Sequence, residues 1–197
     1  MYSSMINIPY CLVFSVKKIA WKIIVLFYSS VVSKNSEDNS QQYSFKLVIR
    51  EFSNLIDRIC FGYARSLADF EDLRQDALLN LWQSMVAYKG KCSMKTWVYR
   101  ITLNSCVSSI RKSKKNITTV QLDEFYDVMD CEEDRKEMIR DLHEGLEMLN
   151  PIDKAIILLW LDGEEYEEIS QIIGISKSNV AIRIHRAKEK LKLLIKL

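Results

Sequence analysis

The stretch YEEISQIIGISKSNVAIRIHRAKEKLK, from Tyr166 to Lys192, decides the fold of this chain. Isoleucines at helical spacing open the stretch and predict one short helix. Gly174 permits a tight turn after that helix, and Ser176 can cap a second helix. The apolar positions that pack this second helix inward are Val180, Ile184, Ala187 and Leu191. Two helices joined by a short turn in this way form a helix-turn-helix.

The second helix of this motif also carries a basic face. From Lys177 onward the chain has seven basic residues and one acidic residue. The first turns of such a helix can enter the major groove of DNA while later cations contact phosphates. The candidate DNA-binding residues are Ser176, Lys177, Asn179, Arg183 and Arg186. A helical hairpin with a solvated basic face is the alternative.

Composition predicts helices for the rest of the chain as well. Its 197 residues include only five Gly and two Pro, too few turn residues for a sheet-rich fold. With 48% hydrophobic and 27% charged residues, the chain has the composition of a folded globular protein of one domain or two small ones.

Charge divides the chain into segments. Residues 46–115 have 13 basic and six acidic residues, whereas residues 116–150 have three basic and 11 acidic. Residues 116–134 are also poor in large aliphatic side chains, so we expect a linker between two domains. The predicted divisions are an extension at 1–44, domains at 45–115 and 135–197, and the acidic linker at 116–134.

The amino-terminal segment differs from the rest of the chain. Residues 10–32 are long enough to span a bilayer, but Lys17, Lys18 and Lys22 lie near the middle. Each central lysine costs about 2.5 to 3.5 kcal/mol on insertion scales, while each large apolar residue returns roughly 0.3 to 0.6 kcal/mol. A secretory signal peptide would need a clearer cleavage site. We therefore expect a dispensable apolar extension, followed by a polar linker at 33–44.

Two amphipathic helices are predicted next. Apolar residues at helical spacing predict a helix from Phe45 to Leu67, and Asp69 is predicted to cap the second helix. In that second helix Leu79 lies on the same face as acidic and amide side chains, which favours a contact surface. The alternative is a solvated face with one exposed leucine.

A third helix is predicted from about Lys95 to Lys115, after a short basic loop at 88–94. One of its stripes combines Trp97, Arg100, Asn104 and Arg111. An aromatic ring, an amide and cations in this order suit base stacking, base-edge reading and phosphate pairing. The alternative is that Trp97 packs into the core and the cations are solvated.

The sequence contains no motif that is typical of a metal site or of an enzyme active site. The five cysteines form no CxxC pair, and there are only two histidines, so we expect no zinc site, no disulfide framework and no cofactor. No glycine-rich phosphate loop, HExxH or catalytic triad motif is present, and we therefore expect no enzyme activity.

Three segments together resemble the sigma-70 family of bacterial transcription initiation factors, in its extracytoplasmic-function (ECF) group. They are DFEDLRQDALLNLW (69–82), KTWVYRITLNSCVSSIRK (95–112) and YEEISQIIGISKSNVAIRIHRAKEKLK (166–192), in the family's order. The resemblance covers residues 45–197. It implies an all-α fold with two small helical domains: region 2, of three or four helices, and region 4, with the helix-turn-helix. An acidic flexible linker joins them.

The resemblance also assigns roles to the candidate residues. Polymerase docking, on the clamp helices of the beta-prime subunit, falls to Asp72, Leu73, Gln75, Asp76 and Leu79. Reading of the -10 promoter element, where bases leave the duplex, falls to Lys95, Trp97, Tyr99, Arg100, Asn104 and Arg111. Periodicity places Tyr99 on the packed face. The helix-turn-helix set named above would read the -35 element, whose preference remains open because Asn179 replaces a common Thr and Ile182 faces outward.

The implied partners are core RNA polymerase, through the beta-prime clamp helices and the beta flap, and promoter DNA. A membrane-bound anti-sigma factor is common in this group. A cytoplasmic protein, monomeric outside the holoenzyme, is expected. The alternative is an autonomous helix-turn-helix regulator that binds duplex DNA and never engages polymerase, which would have no need of the first domain's two candidate surfaces.

Overall fold

The structure is a computed structural model that describes residues 36–113 and 133–194. Within these ranges the regular elements are all helical. They are α1 (Ser36–Tyr63), α2 (Leu67–Ser84), a 3-10 turn (Met85–Ala87), α3 (Met94–Ser113), α4 (Glu133–Glu147), α5 (Pro151–Leu161), α6 (Tyr166–Ile173) and α7 (Lys177–Leu194). The predicted all-α fold is confirmed.

Helices α1, α2 and α3 form the amino-terminal half, packed by apolar faces that include Ile56, Leu73 and Leu103. Helix α1 begins at Ser36, earlier than the predicted start at Phe45, so the second part of the predicted polar linker is helical. It ends at Tyr63 and not at Leu67, which opens α2. The apolar extension lies outside the described residues.

The cap of α2 is Ser66, and the prediction of Asp69 at this position was wrong. The Ser66 hydroxyl accepts a hydrogen bond from the backbone N–H of Asp69 at 3.1 Å. The Asp69 carboxylate in turn accepts from the backbone N–H of Arg65 at 2.9 Å. Asp69 thus lies in the first turn, where a carboxylate interacts favourably with the helix dipole.

The carboxyl-terminal half contains the predicted helix-turn-helix. Gly174 ends α6 with φ of +81°, a left-handed conformation that glycine adopts without strain. The Ser176 hydroxyl then accepts from the backbone N–H of Asn179 at 3.3 Å at the start of α7. The buried residues between α6 and α7 are Ile169, Ile172, Val180, Ile184, Ala187 and Leu191.

The two halves pack directly against each other and share one continuous hydrophobic core. Helix α1 contacts α4 and α5, while α3 contacts α6. A Cβ at Gly62 would come within 2.7 Å of both terminal carbons of Leu158, so glycine permits the close approach of α1 to α5. The Tyr63 hydroxyl donates to the carbonyl of Pro151 at 2.9 Å. Most of the predicted linker, up to residue 132, lies outside the described residues.

Among the described helices none is long and apolar enough to cross a membrane. The apolar stretch at 10–32 lies outside the described residues.

Candidate nucleic-acid interface

Helix α7 presents an exposed face opposite its buried side. Lys177, Asn179 and Arg186 are exposed on it, and the first turn contains no acidic residue. Lys177 Nζ lies 3.7 Å from a carboxylate oxygen of Glu167, but both side chains are more than half exposed. A surface pair of this kind contributes little and leaves the lysine able to exchange its partner for a phosphate.

Arg183 differs from these residues because it is partly buried and already has two acceptors. Its Nη1 donates to Asp153 Oδ1 at 2.7 Å, and its Nε donates to Asn179 Oδ1 at 3.3 Å. Asp153 belongs to the first turn of α5. The guanidinium is therefore held at the side of α7 that faces α5.

On α3, Arg100, Asn104 and Arg111 are exposed as predicted, but Trp97 is only partly exposed. The Trp97 side chain packs against the core, and its ring centroid lies 5.2 Å from that of Tyr88. This position agrees with the alternative in which Trp97 packs into the core. Beside Asn104, a groove of about 410 Å³ runs between α2 and α3; its lining residues are Asn80, Gln83, Ser84, Ile101, Asn104, Ser105 and Ser108.

Tyr99 is buried, at 1% exposure, in agreement with the packed face that periodicity predicts. Its hydroxyl donates to Glu164 Oε1 at 2.9 Å and also hydrogen-bonds with Asp162. Burial, followed by the hydrogen bond with Asp162, raises the pKa of Tyr99 well above its ordinary value. The phenol therefore stays protonated, and its single O–H lies within hydrogen-bond distance of two carboxylates from the other half of the molecule.

Two further candidates for the -10 element are also engaged by the carboxyl-terminal half. Lys95 forms an ion pair with Glu164, and Arg100 Nη2 donates to the backbone carbonyl of Gln171 at 2.5 Å. Arg58 of α1 completes the set through an ion pair with Asp162. We call Asp162 and Glu164 the acidic pair.

Glu164 is ionised where it meets these donors. Burial works to raise the pKa of Glu164, but hydrogen bonds from Glu168, Lys95 and Tyr99 outweigh burial, so its pKa lies below the ordinary value. The hydrogen bond to Glu164 raises the pKa of the neighbouring Glu168. Glu164 thus places negative charge against Lys95, a side chain expected to meet DNA.

The candidate docking face lies on α2. Asp72, Gln75 and Asp76 are exposed, and Leu79 is half-buried beside them. Leu73 is different, since it is 1% exposed and packs in the core. Helical spacing places Leu73 on the packed face of α2, with Ala77 and Leu81, and only the family resemblance had assigned it to docking. The candidate face is therefore reduced to the other four residues.

Sequence reasoning missed the polar groups between the two halves. His143 and Lys154 are both buried; His143 Nε2 lies 3.2 Å from the carbonyl oxygen of Phe61, and Lys154 forms an ion pair with Glu147. The one signal in the sequence was a lysine within the apolar run of α5.

Cysteines and metal ligands do not form a site in the described ranges. No cluster of three or more His, Cys, Asp or Glu residues there could hold a metal ion. Cys60 and Cys106 are buried free thiols whose sulfur atoms are 3.9 Å apart. The hydrogen bond with Cys106, together with burial, raises the pKa of the Cys60 thiol, which disfavours the reactive thiolate.

Two family models match this chain, one in each half. The family model for Sigma-70 region 2 matches residues 48–116, and the model for Sigma-70 region 4 matches residues 139–191. The chain belongs to the sigma-70 family. Its place in the ECF group is shown by relatives such as the ECF RNA polymerase sigma factor SigE of Mycolicibacterium smegmatis, 27% identical over 163 residues. This match covers 79% of the chain but 63% of SigE, so the chain spans less than two thirds of that relative.

A second relative and two solved structures extend the comparison. The RNA polymerase sigma factor SigV of Bacillus subtilis is 28% identical over 131 residues, 66% of this chain and 78% of SigV. The sigma factor RpoE of Bartonella quintana, solved with the anti-sigma factor NepR, superposes with a TM-score of 0.63 at 21% identity, covering 78% of this chain and 98% of RpoE. CnrH, solved with the cytosolic domain of CnrY, gives 0.59 at 20% identity, covering 79% and 89%. At these identities the structures support the fold alone.

Proposed function

We propose that this ECF sigma factor binds core RNA polymerase, directs it to promoters through -10 and -35 elements, and helps to melt the DNA. The observation that carries the proposal is the union, in one chain, of a helix-turn-helix with an amino-terminal half that presents two polar surfaces. A regulator that acts alone on duplex DNA has no need of that half. The chain therefore acts as a specificity factor and has no catalytic activity of its own.

The polymerase contact is proposed for α2. Its exposed carboxylates and amide, from Asp72, Gln75 and Asp76, suit basic and polar side chains on a partner helix, while Leu79 supplies an apolar anchor. A half-buried leucine among polar residues gains by burial against a partner without any cost to the core. The proposed partner surface is the pair of clamp helices of the beta-prime subunit, with the beta flap contacting region 4.

The -10 contact is proposed for α3, and it requires a change from the arrangement described above. Lys95, Tyr99 and Arg100 are all engaged by α6 or by the turn before it. Single-stranded DNA needs the same cations for its phosphates and an aromatic ring for its bases. We therefore propose that the two halves separate when the protein joins polymerase and DNA.

The solved relatives add a proposed regulator. NepR is described as an anti-sigma factor in the complex with RpoE. We propose that this chain is likewise held inactive by an anti-sigma factor, membrane-bound or soluble, which binds the same surfaces as polymerase and DNA. Its site of action is then the cytoplasm, as a monomer until it enters the holoenzyme.

Gel filtration of the full chain with bacterial core RNA polymerase lacking sigma tests the proposal. We expect co-elution in a one-to-one complex at moderate salt, where long-range charge attraction is screened. Leu79→Glu should abolish co-elution and leave the melting temperature of the free protein nearly unchanged. Val86→Glu is the matched control, because Val86 is 76% exposed and lies outside the docking face.

Three results would count against this reading. Separate elution of the wild-type chain, with duplex DNA binding retained, would support the autonomous regulator. A large drop in melting temperature for Leu79→Glu would show that the leucine belongs to the core. Equal loss of co-elution in both variants would place the polymerase contact elsewhere.

A further inference from the structure

Ile182 occupies the centre of the exposed face of α7. Between Lys177 and Lys192 it is the one large apolar side chain that is exposed, at 51%. Its helical neighbours at three and four positions are Ser178, Asn179, His185 and Arg186, and all four are exposed. The buried residues of α7 lie on the opposite side. Ile182 therefore faces any partner that binds the exposed side of α7.

The groups around Ile182 suit DNA. Asn179 and Arg186 flank it, and the helix has no acidic residue before Glu189. A helix that enters the major groove does so with the face opposite its packed side. Arg183, by contrast, lies at the side of the helix and is held there by Asp153 and Asn179. The centre of the docking face is thus apolar, while Arg183 lies at its edge.

Only one feature of the major groove offers an apolar partner, and this is the 5-methyl group of thymine. We propose that Ile182 is a specificity-determining residue that packs on a thymine methyl group in the -35 element. The inference rests on the proposed function, since it takes region 4 to bind duplex promoter DNA. It assigns to this chain a thymine preference at the base pair that faces the middle of α7.

A selection followed by a thermodynamic cycle tests this assignment. The full chain, assembled with core RNA polymerase, is used to select from a library of randomised DNA duplexes. Thymine at each enriched position is then replaced by uracil, which lacks only the methyl group. For the wild-type chain we expect affinity to fall about fourfold at one position, the equivalent of one buried methyl group.

The protein side of the cycle uses two isoleucines of equal exposure. Ile182→Ala should remove the difference between thymine and uracil at that position, whereas Ile182→Val should keep part of it. Ile152→Ala is the control, because Ile152 is 50% exposed but belongs to α5. It should leave the difference intact.

The outcomes separate the inference from the proposed function. An enriched motif without a methyl-sensitive thymine, or a thymine preference that survives Ile182→Ala, would overturn the role of Ile182 and leave -35 recognition standing. Failure to enrich any duplex motif would refute -35 recognition itself, and the role of Ile182 with it.

Discussion

Arg183 shows how a single residue can be constrained before DNA arrives. Its guanidinium has five donors, two of which are engaged by Asp153 and Asn179 in the described arrangement. The pair with Asp153 is only partly exposed, so it is screened less than a surface ion pair. At a promoter, Arg183 must therefore either contact DNA while bound to Asp153 or break its ion pair with Asp153.

We expect Arg183→Ala to weaken promoter binding by about 1 to 3 kcal/mol and to relax selectivity at one base pair, as for an arginine that reads a base. Affinities for the selected -35 duplex and its single-base variants measure both effects. Asp153→Asn is the comparison, because it weakens the ion pair and frees the guanidinium. A loss that is equal for all sequences would assign Arg183 to a phosphate, and a loss reproduced by Asp153→Asn would assign it to the support of α7.

At the scale of elements, the contact between α1 and α4 depends on a buried histidine. His143 is 1% exposed, packs its ring 5.4 Å from that of Phe61, and has the Phe61 carbonyl oxygen within hydrogen-bond distance. Burial, and then the positive charge of Lys154, lower its pKa below 6.5, although Glu147 and the carbonyls of Phe61 and Ala64 act in the opposite direction. The neutral ring is the form that the interface accepts.

The sign of the resulting pH dependence follows from proton binding. Because the folded pKa is lower than the unfolded one, the unfolded chain binds the proton more tightly. The contribution of His143 is complete above about pH 6.5 and is lost as the pH falls through the lower folded pKa.

We therefore expect the melting temperature of the wild-type chain to fall between pH 7.5 and pH 5.5, and to fall less in His143→Gln. The glutamine amide can donate to the same carbonyl but does not titrate. His185→Gln is the control, because His185 is exposed on α7. An identical pH dependence in His143→Gln and the wild type would exclude this histidine as the cause.

At the scale of the whole molecule, the acidic pair adds polar contacts to the apolar packing between the two halves. Asp162 and Glu164 form ion pairs with Arg58 and Lys95 of the amino-terminal half, and Glu164 accepts a hydrogen bond from Tyr99. A hydrogen bond to a charged group contributes about 1.5 to 3 kcal/mol, and partial exposure reduces this figure. The contacts thus stabilise the packing of the two halves without preventing the separation proposed above.

We expect the double variant Asp162→Asn and Glu164→Gln to bind single-stranded DNA about tenfold more tightly, the equivalent of roughly 1.4 kcal/mol of lost closure. Fluorescence anisotropy with a labelled oligonucleotide measures the affinity of the free protein. Glu133→Gln with Glu137→Gln removes the same number of charges from exposed positions of α4. Equal gains in both double variants would attribute the effect to net charge and not to opening.

The second prediction at the scale of the whole molecule concerns the amino-terminal extension. Deleting residues 1–43 leaves the part of α1 that carries Val48, Ile49 and the later core residues. We expect promoter-dependent transcription with core polymerase to be retained. The deletion that starts at the same residue but ends at 55 is the control and should fail, because it removes core side chains from α1. Loss of transcription on deletion of 1–43 would show that the amino-terminal segment takes part in function.

Local patterns predicted the elements that depend on neighbouring residues. The helix-turn-helix follows from isoleucine spacing, a glycine at the turn and the Ser176 cap, and all three are present in the structure. These features could be predicted because helical periodicity, capping and turn formation act over a few residues. The assignment of regions 2 and 4 was instead implied by the resemblance to the sigma-70 family, whose models match residues 48–116 and 139–191.

Only the tertiary structure decided which surfaces meet. Periodicity placed Tyr99 on a packed face but could not name Asp162, which lies 63 positions away and belongs to the other half. The same applies to Arg183 held by Asp153 and to His143 against α1. Two residues far apart in sequence come together because chain folding buries their elements against each other. A local sequence pattern does not specify which distant elements will make contact.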